Sequence, residues 1–188
     1  MPTHVTACVA LLRGINVGGK NLIKMSALKD AFEMDSFRNV RTYIQSGNVL
    51  FEWPGDVGTA LANRIETLLE STFGIPLVVV VRSRSQMRAI VDRAPVEFGS
   101  QAATHRHNVI FLKEPLTAQE AMESVSTKMG VDEAHVGAGV LYFSYLIANA
   151  SQSHLNRIAG LPHYKYMTIR NWKTTTKLVD LLEAERSV

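Results

Sequence analysis

The chain has one cysteine, Cys8, so no internal disulfide can form, and disulfide-stapled secreted scaffolds are excluded. It also lacks any apolar run near the roughly 20 residues that span a bilayer. Its first residues, "MPTHVTACVALLRG", carry neither a basic leader nor a small-residue cleavage site, so secretion is not expected and a reducing cytoplasm is. Glycine and proline are sparse, at 12 and 6 residues of 188, which rules out collagen-like and low-complexity chains. Charge of one sign is not in large excess. The formal net charge of +3 and an isoelectric point near 9.1 permit a phosphorylated or nucleic-acid partner without demanding one. What remains is a 46% hydrophobic globular chain, long enough for one domain or two small ones.

Periodicity sorts that hydrophobic content into a recurring order. "TACVALL" is a short apolar run that reads as a buried strand. Ser26 is placed to cap a helix with Leu28, Ala31 and Phe32 on its apolar face. "VRTYIQSGNVLFEW" predicts a hairpin turning at Gln45–Asn48. A helix over "TALANRIETLLESTF", a strand over "IPLVVVVRS" and a helix over "SQMRAIVDRA" complete the first half.

The second half repeats the order. "HNVIFLK" is a strand, "TAQEAMESVSTKM" a helix and "AHVGAGVLYFSYL" a glycine-turned hairpin. "SHLNRIAGL" is expected to be a helix, followed by the strand "YMTIR" and the helix "TTTKLVDLLEAE". An ungapped match sets "VRSRSQMRAIVD" over "IRNWKTTTKLVD", sharing Arg, Val and Asp. The expectation is an α+β fold of two ferredoxin-like β-α-β-β-α-β repeats packed together by internal duplication. The repeats are drawn at residues 1–100, with the glycine-rich loop, and 101–188, with the C-terminal helix.

"RGINVGGKN", residues 13–21, is one residue away from the phosphate-loop pattern G-x-x-x-x-G-K-[ST]. Asn21 replaces the hydroxyl that would ligate magnesium, and "NLIKM" separates the lysine from the expected helix start. No strand ends in the second metal-binding Asp. Nucleotide hydrolysis is therefore not expected. A milder role survives: Gly18 and Gly19 are expected to gather backbone N–H groups into a nest, with Arg13, Lys20 and Lys24 adding positive charge. The alternative is a plain turn with solvated cations.

Three segments resemble the signature blocks of the bacterial family catalogued as domain of unknown function 1697. They are "LLRGINVGGKNLIKMSALKDAF", "NVRTYIQSGNVLF" and "TIRNWKTTTKL". The resemblance implies a duplicated ferredoxin-like arrangement and brings no activity, substrate or cofactor with it. Its polar positions form the candidate ligand site: Arg13, Asn16, Lys20 and Asn21, then Gln45, Ser46 and Asn48, then Arg170, Asn171, Trp172 and Lys177. Cations, amides and an indole suit a planar or phosphorylated ligand. The alternative is that Asn48 and Asn171 fix turns while Trp172 fills a junction.

Other chemistry is weaker. His105 and His107 alternate as metal ligands can, but no further ligand stands at the required spacing, so no metal or cofactor is expected. Cys8 reads as an inert buried thiol, and Ser46 has no assignable His and carboxylate. Glu66, Glu70 and Asp92 read as solvated helix faces. The expectation is thus a cytoplasmic bacterial protein binding a small anionic or nucleotide-like ligand in a polar groove between its repeats. No catalytic residue is assigned. The runner-up is single-stranded RNA binding through Phe51, Trp53, Tyr142, Phe143 and Tyr145, although neither hairpin carries an RNA-recognition signature.

Overall fold

The computed structural model describes residues 5–184. Of these, residues 5–87 with 178–184 form one compact unit and 88–177 a second. The division falls inside two helices, where the sequence pattern suggested one boundary at residue 100.

The first unit runs β1 (Thr6–Leu12), α1 (Met25–Met34), β2 (Arg38–Tyr43), β3 (Asn48–Trp53), α2 (Thr59–Phe73) and β4 (Val79–Ser83). Its four strands form an antiparallel sheet in the order β2-β3-β1-β4. Central β1 is apolar from Ala7 to Leu12, where both of its faces are buried. Cys8, Ala10 and Leu12 join the core under α1 and α2, with Phe32, Phe51, Ile65 and Leu69. Val9 and Leu11, on the opposite face by strand alternation, are buried as well. Ser26 does not cap α1: the helix begins at Met25 after Lys24, with no side-chain cap. Glu66 is not merely solvated, since its Oε1 accepts the Val79 N–H at 2.8 Å and fixes the start of β4.

The second unit contains β5 (His105–Leu112), α4 (Ala118–Ser124), β6 (Asp132–Gly137), β7 (Val140–Leu146) and β8 (Met167–Asn171). They form an antiparallel sheet in the order β6-β7-β5-β8. Thr117 and Glu120 close a reciprocal capping box at the start of α4. The helix expected over "SHLNRIAGL" is instead a 3-10 segment, His154–Gly160, one of three such segments between β7 and β8. Ile158 is its one buried residue, and Gly160 and Pro162 interrupt the run, so no apolar stripe holds an α-helix there.

Helices α3 (Arg84–Asp92) and α5 (Trp172–Glu183) each start directly from a strand end. The same devices recur at both junctions. Ser83 Oγ accepts the Gln86 N–H at 3.2 Å and Asn171 Oδ1 accepts the Thr174 N–H at 2.7 Å. The preceding arginines, Arg82 and Arg170, each donate from Nη1 to the previous carbonyl at 2.9 Å. Among the described residues, no helix is long and apolar enough to cross a membrane.

Candidate functional site

Seven of the eleven candidate residues lie in the first unit and four in the second. Six of these seven lie on two loops, residues 13–24 after β1 and residues 44–47 between β2 and β3, and the seventh, Asn48, opens β3.

Asn16 locks these loops together. Its Nδ2 donates to the carbonyls of Ile23 and Gln45, both at 3.0 Å, and its Oδ1 accepts the Ile23 N–H at 2.9 Å. Asn21 Nδ2 donates to the Gly14 carbonyl at 2.9 Å, and the Asn16 N–H bonds the Asn21 carbonyl at 3.1 Å. Gly18 and Gly19 form no nest. Both take positive φ (59° and 74°), and Lys20 N–H bonds the Val17 carbonyl at 3.1 Å, closing a tight two-residue turn. A nest needs alternating handedness so that successive N–H groups converge, and two left-handed residues in succession make a hairpin turn instead.

Several non-glycine residues here are also left-handed: Asn16 (54°), Asn21 (49°) and Ile44 (51°). Asparagine tolerates this region, but a β-branched residue does so at a steric cost. On this rigid frame Lys20 and Gln45 present exposed side chains, Arg13 is half-buried, and Lys24 lies exposed at the loop's far end. Val17 and Leu22 are exposed beside them.

Of the other candidates, Asn48, Asn171 and Arg170 make hydrogen bonds within the fold. Asn48 is fully buried and donates to the Tyr43 carbonyl at 2.9 Å and to Ser46 Oγ at 3.1 Å, holding the hairpin. In the second unit Asn171 caps α5 and is solvent-facing. Arg170 is buried, with Nη1 bonded to Thr168 Oγ1 at 2.9 Å, and burial lowers its pKa to about 10. Trp172 is half-buried edge-on to Phe98, with ring centres 5.1 Å apart, and Lys177 is exposed.

The phosphate-loop likeness ends at the sequence. Helix α1 starts five residues after Lys20, and the Asn21 amide is occupied by a carbonyl, so neither the helix terminus nor a metal-binding hydroxyl is where hydrolysis needs it. Of the five aromatics of the RNA reading, Phe51 and Phe143 are fully buried in their cores and Tyr142 nearly so, while Trp53 and Tyr145 are half-buried. Cys8 is buried, with its thiol directed at the Thr6 carbonyl.

Sequence inspection missed a cavity of about 500 Å³ in the second unit, lined by Lys128, His154 and Arg157 among polar neighbours. Buried Asp132 ties its walls, accepting the N–H groups of Lys128 and His154 on Oδ2 at 2.9 Å each. The cations come from separate segments with no shared motif, so no sequence signal joins them.

Comparison with known proteins fits this picture. The family model described as protein of unknown function (DUF1697) matches residues 5–142, which include the first two signature blocks but not the third. A solved structure of a conserved bacterial protein from Streptococcus pneumoniae is 25% identical, with a TM-score of 0.81, covering 95% of this chain and 99% of that one. A protein of unknown function from Galdieria sulphuraria, 11% identical over 89% of this chain and 98% of its own, reaches a TM-score of only 0.28 and carries no weight. No curated protein matches.

Proposed function

The chain belongs to the DUF1697 family, which brings no activity with it, and from that premise we propose that it binds a small anionic or nucleotide-like ligand on the loop pair of its first unit. One observation carries the reading: exposed Lys20 and Gln45, with Arg13 beside them, stand on loops that Asn16 locks into left-handed conformations, Ile44 included. Strain of this kind persists where the surrounding structure over-determines it, and it clusters at ligand clamps. A preordered loop spends little entropy on binding. Lys20 and Arg13 supply charge-assisted bonds to an oxyanion, and Gln45 supplies an amide for a neutral edge. Cytoplasmic location in a bacterium belongs to the same reading, supported by the lone cysteine.

The finer description of the fold is also an inference. Two ferredoxin-like repeats from one duplicated ancestor are supported by the shared relative strand order and by the matched Arg82–Ser83 and Arg170–Asn171 junctions.

Calorimetry and thermal shift with inorganic phosphate, nucleoside phosphates and phosphosugars test the ligand. Saturation at 100 times the dissociation constant stabilises the fold by about 2.7 kcal/mol. Lys20→Ala and Gln45→Ala, at exposed positions, should abolish the shift while leaving the unliganded melting point in place. Loss on Arg157→Ala instead would move the site to the cavity of the second unit and sink the proposal. Binding of short RNA, with affinity falling steeply as salt rises, would favour the runner-up.

A further inference from the structure

The second unit holds another cavity, of about 270 Å³, between the 95–101 loop and one face of its sheet. That volume lies just under the roughly 300 Å³ at which drug-sized pockets begin, which suits a ligand of metabolite size. Strand register builds its floor. His107 and Glu133 both pair with Ser144, so three adjacent strands present His107, Ser144 and Glu133 in one row. His105 and His135, two residues along their strands, extend the same face. Ile110 and Leu112, of opposite parity on β5, enter the core beneath α4.

The lip is built as firmly. Phe98 stands edge-on to His107, Tyr142 and Trp172, with ring centres 4.8, 5.3 and 5.1 Å apart. The Phe98 N–H bonds the Pro95 carbonyl and the Ser100 N–H bonds the Glu97 carbonyl, each at 2.9 Å. Glu97 is held at φ +64°, a left-handed conformation, at the edge of the cavity.

The charge of the lining is distinctive. It contains two carboxylates, Glu97 and Glu133, three imidazoles, and no Lys or Arg. The charged groups around it do not offset this. Arg106 lies on the opposite face of β5 and bonds the Ala102 carbonyl, Arg170 is buried on β8, and Arg93 acts on Tyr142. Burial, and then the neighbouring His105, hold the His107 pKa below the ordinary imidazole value, while Glu133 opposes the shift. The cavity therefore presents two carboxylates and imidazole nitrogens with no Lys or Arg in its lining. It repels anions.

A metal ion is not the natural occupant. Among the described residues no three His, Cys, Asp or Glu side chains are arranged to hold one. We infer that this cavity binds a small organic cation, a primary amine or an alkylguanidinium, whose charge is shared by Glu97 and Glu133 and whose N–H groups are accepted by the imidazoles.

The sign of the pH dependence follows. Acidification charges His107, which shares a row with Ser144 and Glu133, so a positive charge is placed beside the bound cation and its affinity falls. The test uses the full chain with 1,4-diaminobutane and agmatine as probes, followed by calorimetry at low salt. Saturable binding at pH 7.5 is expected, at least tenfold weaker at pH 5.5. Glu133→Gln and Glu97→Gln, both isosteric, should each weaken it tenfold or more with the melting point of the free protein unchanged. Four results would overturn the inference: neither probe binding at pH 7.5, affinity unmoved by both substitutions, tighter binding at pH 5.5, or zinc and nickel binding where the amines do not.

Discussion

At the scale of single residues, Tyr142, one of the aromatics of the runner-up RNA reading, makes a structural bond. Its hydroxyl donates to the Ile90 carbonyl at 2.6 Å, in the last turn of α3. The intrahelical partner of that carbonyl would be the Ala94 N–H, which bonds Val91 instead. Tyr142→Phe therefore leaves a carbonyl unpaired at a helix end and should cost about 1–2 kcal/mol in urea denaturation. Tyr142 ionises above its ordinary value because burial disfavours the phenolate.

His107 gives the second prediction at this scale. Its pKa is depressed in the fold, chiefly by burial, so the unfolded chain binds the proton more readily. Stability contributed by His107 is present above the unfolded value of 6.5 and is lost as pH falls through it toward the lower folded value. The wild-type urea midpoint should drop between pH 7.5 and 5.5 by more than that of His107→Gln. Parallel slopes in the two proteins would contradict this.

At the scale of elements, what the sequence disclosed and what it concealed follow from local physics. Helix α2 matches its expected span, Thr59–Phe73, since Leu61, Ile65 and Leu69 mark one face and Gly74 ends it at positive φ. Strand β1 likewise matches "TACVALL". The 3-10 segments before β8 were not legible, because apolar spacing at three to four residues fits either helix type and burial decides between them. Cap positions went wrong at Ser26, where a plausible hydroxyl stood one residue inside the helix. The candidate site was half legible. The family resemblance marked Asn16, Asn21, Asn48 and Asn171 among its polar positions, and all four bond backbone groups in the folded chain. Composition cannot tell a framework asparagine from a ligand-binding one.

Asn171 makes that distinction testable. Replacing it with Ala removes the acceptor for the Thr174 N–H at the start of α5 and should cost about 1 kcal/mol, whereas Asn171→Asp should retain most of the cap. Thermal melts of the two variants separate capping from ligand binding, which neither the cap nor its loss would mimic.

At the scale of the molecule, the ends of the sequence serve the same unit. Residues 178–184 belong with 5–87, and Arg41 on β2 donates from Nη2 to the Leu181 carbonyl at 3.0 Å. Leu178, Val179 and Leu182 are buried to 2% exposure or less. Each such aliphatic side chain contributes roughly 1.5–3 kcal/mol, and a domain's whole stability is about 5–15 kcal/mol. A stop after Lys177 should therefore destabilise the first unit, seen as lost hydrogen-exchange protection in β1 and β3, although every strand of that unit is still present. Retained protection there would refute the assignment.

This discontinuity matters while the protein is being made. On a ribosome the strands of the first unit emerge early, but the apolar residues that complete it arrive only after all of residues 88–177 have been translated. At elongation rates of about 5–20 residues per second that interval is on the order of ten seconds. Through it, the half-built unit keeps exposed the apolar surface that Leu178, Val179 and Leu182 will cover.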